Sequence, residues 1–154
     1  MKYFRYTFAI VAALCLMLPA TAKADNTQAG LRIQEVFQRY GKKRNVTMVE
    51  LSGEMLETYN IAHYKSIIIR DDGEAVNFTR RCLDADQQGA RKIKEVTDGG
   101  GLISAYYQLP ENNGLNRFIL FKVSRKGVMT LVYIEGDLDS DDLITILFTD
   151  RKDL

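Results

Sequence analysis

Asn116–Glu135 reads NRFILFKVSRKGVMTLVYIE, and the fold follows from how these twenty residues are read. Two apolar runs, Phe118–Val123 and Val128–Ile134, flank the polar Ser124-Arg125-Lys126-Gly127. The runs are β-branched and aromatic, which suits a pleated surface. Gly127 suits the left-handed backbone that hairpin loops often need. A β-hairpin is predicted. In its first strand Phe118 and Leu120 point one way, and Ile119, Phe121 and Val123 the other. In its second, Val128, Val132 and Ile134 oppose Met129, Leu131 and Tyr133. A half-exposed strand would be polar on one face. Both strands are therefore expected to be central, with other elements covering much of both faces.

The remaining chain supplies candidate covers. Gly30–Tyr40 places Ile33, Val36, Phe37 and Tyr40 at helical spacing, and Gly41 stands where a helix commonly ends. Asn45–Leu51 reads as a short strand, after which Ser52 is placed to cap a brief helix, Gly53–Tyr59. Tyr64–Arg70 is a second strand, closed by Asp71-Asp72-Gly73. Glu74–Gln88 is helical, with Ala75, Phe78, Cys82 and Ala85 on one stripe. Ala90–Thr97 either continues that helix or starts a strand; the Gly-rich Asp98–Gly101 loop favours strand. Leu102–Leu109 alternates and is expected to stop at Pro110. Asp139 or Ser140 can cap a last helix, Asp141–Thr149, in which Leu143 and Leu147, and Ile144 and Phe148, form four-spaced pairs. The expected class is α+β: an antiparallel sheet with a C-terminal meander of about four strands plus one or two shorter strands. N-terminal, middle and C-terminal helices pack against it.

The chain of 154 residues is one domain's worth, preceded by a segment of another kind. Met1–Thr7 carries Lys2 and Arg5 without an acid, Phe8–Leu18 is an unbroken apolar run, and Pro19 is followed by small residues suited to cleavage after Ala22 or Ala24. Residues 1–24 read as a secretory signal peptide, leaving a domain over 25–154. The apolar run falls short of the roughly 20 residues a membrane span needs, so no mature transmembrane segment is expected. Leu14, before Cys15, is too large for a lipidation site. The expected location is the periplasm or the cell exterior. Removing Lys2, Arg5 and Lys23 leaves 18 basic against 20 acidic residues, which argues against nucleic acid as a partner. Cys82 becomes the only cysteine, so no internal disulfide can form.

The segments KSIIIRDDGE, RCLDADQQGARKIKEV, SAYYQLPENNGLNRFILFK and TLVYIEGDLDSDDLITILF resemble a family of small exported bacterial proteins classed as a domain of unknown function. Its sheet ends in an I-x-G-D-L turn and short helix, here Ile134-Glu135-Gly136-Asp137-Leu138. The resemblance covers most of Gly30–Phe148. It implies an exported protein of Gram-negative gut bacteria and hints at envelope signalling; it brings no known catalytic residues.

Patterns that carry chemistry are few. Cys82 and His63 can form a thiol–imidazole dyad only if the fold joins them, and Cys82 sits on an apolar helix face where cysteine serves as a small hydrophobe. Asp137-x-Asp139-x-Asp141 has the first spacings of a calcium loop but lacks its glycine and its final glutamate, and helix capping explains the same acids. Glu95, Glu111 and Glu135 supply carboxylates for a glycosidase pair, with nothing to place two together. No metal site or cofactor is expected. Tyr106, beside Ser104 and Gln108, is a candidate to face outward and make a recognition patch with Arg117 one strand over, but the reading preferred for it is a core or second-layer aromatic. The reading is an exported non-enzymatic module that binds a protein or small ligand through its sheet. The alternative is an envelope hydrolase using Cys82 and His63 or a carboxylate pair.

Overall fold

The structure, a computed structural model, describes residues 30–149. The segment expected to be a signal peptide, with Cys15, and the polar lead-in before Gly30 lie outside the described residues, as do the side chains of Leu147 and Phe148. In chain order the elements are α1 (Ile33–Tyr40), β1 (Val46–Ser52), α2 (Glu54–Glu57), β2 (Ile61–Arg70) and α3 (Gly73–Asp86). They continue with β3 (Arg91–Asp98), β4 (Gly101–Asn112), β5 (Leu115–Val123), β6 (Val128–Gly136) and α4 (Ser140–Thr149).

Every strand is antiparallel to its neighbours in one six-stranded sheet of order β1-β2-β6-β5-β4-β3. The hairpin β5–β6 occupies the middle, and its Ser124–Gly127 loop closes with Gly127 at φ 74°. Phe118, Phe121, Leu131 and Tyr133 are all fully or almost fully buried. Each side chain of this size contributes roughly 1.5–3 kcal/mol when removed from water.

The meander β3–β6 has the expected four strands, and Arg91–Asp98 resolves as strand. β2 is ten residues long, so it is a full member of the sheet and not a short addition. Antiparallel sheet with helices on its faces makes the domain α+β.

The helices divide between the two faces. α1 and α3 cover one, where Phe37, Tyr40, Ala75, Cys82 and Leu83 pack on Ile67, Tyr107, Ile119, Phe121, Leu131 and Tyr133. α2 and α4 cover the other, where Leu56 and Leu143 pack with Tyr106, Phe118 and Ile134. Arg80 of α3 donates to the carbonyls of Leu102 and Gly100, which fixes that helix to the β3–β4 hairpin.

Three local expectations are corrected. Ser52 caps nothing: it is the last residue of β1, paired with His63, and α2 starts after Gly53 without a side-chain cap. Pro110 does not end its strand; β4 runs to Asn112, although its regular register with β5 breaks after Leu109, where proline has no N–H to give. α1 begins at Ile33, because its first amides are held by Asp86 at the far end of α3.

Gly136, the glycine of the I-x-G-D-L ending, sits where β6 meets the bulged start of β2. A Cβ there would overlap the Asn60 carbonyl oxygen and the Leu138 side chain. The ending is thus a packing device, with Ile134 and Leu138 buried on either side of it.

Candidate functional site

The structure separates Tyr106 from Arg117, the two candidates for a recognition patch, and Tyr106 is the core aromatic of the preferred reading. Tyr106 is 7% exposed; its ring meets Phe118 at 6.0 Å and its hydroxyl donates to the Ser140 carbonyl at 3.2 Å. Burial pushes its phenol up, consistent with a neutral packing residue. Arg117 neighbours Phe118 in β5 and so points to the opposite face, where its Nε donates to the Pro110 carbonyl at 2.9 Å. The alternation Ser104–Tyr106–Gln108 marks a side of the strand that α4 covers.

Cys82 lies 4% exposed in the core beneath α1. Burial, reinforced by Glu35 and Asp86, pushes its thiol up to about 11, so it is protonated and weakly nucleophilic at neutral pH. His63, on β2, places Nε2 3.0 Å from Glu50 Oε1 on β1, whereas Cys82 lies on α3. Glu95 and Glu135 are three strands apart, roughly 14 Å, beyond glycosidase spacing. Asp139 Oδ1 accepts the N–H groups of Asp141 and Asp142, while Asp142 accepts from Asp139 N, a reciprocal helix cap. Among the described residues no cluster of three metal-ligating side chains occurs, and no helix is long and apolar enough to cross a membrane.

Two groupings remain. The first is a polar row at one end of the α1/α3 face. Tyr133 donates to Glu135 at 2.8 Å, His63 stands across from Glu135 in register, and the His63 ring meets the Tyr133 ring edge-on at 6.4 Å. Lys65 is buried, with Nζ 3.5 Å from Glu50 and 5.0 Å from the Phe37 ring centre. These groups satisfy one another within a single layer of the sheet. Buried polar groups arranged so fix the strand register, since a one-residue slip would strand each of them.

The second grouping is the β1–α2 edge. Five large hydrophobic side chains among the described residues are exposed: Met48 at 39%, Val49 at 40%, Met55 at 76%, Tyr59 at 48% and Val96 at 37%. Four of these fall within twelve residues of sequence, on β1 and the turn of helix after it. Tyr59 also lines an open depression of about 260 Å³ with Asn60, Leu138 and Ile146.

The two sheet edges contrast. β3 carries Arg91, Lys92 and Lys94, and its register shifts twice. Those are the devices that keep an edge from pairing. β1 pairs with β2 over seven consecutive residues without a shift, and Glu50 is its single charged residue. Sequence reasoning missed this edge. Its signal was the combination of Met48-Val49 and Met55 with no lysine between them.

No curated protein and no solved structure matches the chain. The model of a family of unknown function (DUF6108) matches residues 19–147, and the chain, with its I-x-G-D-L ending and antiparallel sheet, belongs to that family.

Proposed function

We propose that the protein is an exported, non-enzymatic interaction module of the envelope, and that it meets its partner at the β1–α2 edge. The observation that supports this is that Met48, Val49, Met55 and Tyr59, four of the five exposed large hydrophobic side chains among the described residues, fall on β1 and the turn after it, with Met48 and Val49 on opposite faces of that margin. Exposed apolar side chains collected in one place are costly in water and mark contact surfaces. The burial of Cys82, which pushes its thiol up to about 11, weighs against the thiol version of the hydrolase alternative.

The test is site-specific photocrosslinking in the producing cell. A crosslinking residue at Met55 or Tyr59 is expected to give discrete adducts in the envelope fraction, while one at Lys126, on the β5–β6 loop, gives none. Adducts that appear equally at Lys126, or only in the cytoplasmic fraction, would overturn the reading.

A further inference from the structure

We propose that the β1 edge takes a second copy of this chain, strand against strand and antiparallel, with a two-fold axis passing beside Val49 of each copy. The proposal rests on the β1–α2 edge being an interface and names its occupant.

The backbone sets the register. The Arg70 N–H donates to the Asn45 carbonyl at 3.3 Å, which makes Asn45 and Arg70 a hydrogen-bonded pair at the start of the β1–β2 ladder. Such pairs alternate along an antiparallel ladder. Thr47, Val49 and Leu51 therefore turn their backbone groups toward β2, and Val46, Met48, Glu50 and Ser52 turn theirs outward. An axis at Val49 sets Val46 across from Ser52 and Met48 across from Glu50. The outward N–H and C=O groups of Met48 and Glu50 then meet outward partners, while the Val46 N–H is already held by the Lys43 carbonyl at 3.3 Å.

The side chains agree with that register. Val49 meets Val49, and Thr47 meets Leu51, on the α2/α4 face. Met48 meets Glu50 on the other. Glu50 never faces its own copy, and within the chain its carboxylate already meets Lys65 Nζ at 3.5 Å and His63 Nε2 at 3.0 Å. An axis at Glu50 would instead press two carboxylates together, a destabilising cross-strand pair.

Closure follows from the other edge. Head-to-tail assembly needs β1 of one copy to pair with β3 of the next, and β3 is broken by two register shifts and guarded by Arg91, Lys92 and Lys94. With β3 barred, self-pairing of β1 ends at two copies and yields one continuous twelve-stranded sheet.

The experiment uses the protein purified as the cell produces it. Sedimentation equilibrium is expected to show a concentration-dependent dimer. Val49→Lys, which sets two ammonium groups beside the axis, is expected to weaken dimerisation at least tenfold while the far-ultraviolet circular dichroism stays unchanged. Val49 and its copy form a non-hydrogen-bonded pair with Cα atoms about 4.5 Å apart, inside the disulfide window of roughly 4.4–6.8 Å. Val49→Cys with Cys82→Ala should therefore oxidise to a covalent dimer many times faster than Thr47→Cys in the same background.

A monomer at millimolar concentration, or equal crosslinking from positions 47 and 49, would overturn the proposal. If the chain is monomeric while Met55 adducts to another envelope protein persist, this inference fails and the interaction edge stands. If the adducts are absent as well, both fail.

Discussion

The carboxylate of Asp86 accepts the backbone N–H of Ile33 at 2.8 Å, across 53 residues of sequence, and its other oxygen takes the Arg32 N–H at 2.7 Å. The last residue of α3 thus caps the first turn of α1. Burial pushes the Asp86 carboxyl up, and the two amides pull it back. Asp86→Ala leaves both amides without their partner and removes a charge-assisted cap. A loss of about 1–3 kcal/mol is expected, read by urea denaturation.

Cys82 should be silent to thiol reagents in the native protein at pH 7–8 and should react fully in denaturant. Its pKa of about 11, together with its burial, sets this result. Labelling by iodoacetamide followed by mass spectrometry gives the readout. Rapid native labelling would mean that α3 opens locally.

Glu95 on β3 accepts the hydroxyl of Tyr107, and this bond holds its carboxyl below the usual value of 4.5. A carboxyl whose folded-state pKa is depressed adds stability above its unfolded value and loses it as pH falls through the folded one. Acid titration of thermal stability should therefore steepen below about pH 4.5 in the wild type and flatten in Glu95→Gln. An unchanged acid limb in that variant would refute the linkage.

The Tyr40 hydroxyl is buried without a hydrogen-bond partner among the described residues, although its ring packs on Phe78 with Lys43 over it. An unpaired buried polar atom has a desolvation cost of about 1–3 kcal/mol. Tyr40→Phe should accordingly raise the unfolding midpoint or leave it unchanged, as scanning calorimetry would show.

The hairpin was legible because its signals are local. Two-residue periodicity in β5 and β6 is apolar in both phases, and Gly127 marks the turn. The same local grammar only favoured strand over 90–97, through the glycines that follow at 99–101, and the pairing of Arg91–Asp98 with β4 settles it. What could not be read depends on distant neighbours. The burial of Tyr106 was the preferred reading, but the element that covers it, α4, was not legible, and the start of α1 depends on a residue in α3. The interaction edge was hidden for a related reason. NVTMVEL reads as an ordinary strand, and only the order β1-β2-β6 makes it a border.

The seam between β2 and β6 has a kinetic consequence. It pairs residues such as Ile69 and Met129, about 60 positions apart, whereas β3 to β6 are joined by tight turns. Closing so long a loop is entropically expensive, so the meander can assemble before the β1–β2 ribbon docks. Until docking, β6 is an open margin carrying Met129, Leu131 and Tyr133, three of the greasiest positions in the chain. A chain whose meander forms first would be most open to aggregation through β6 until its first two strands find their place.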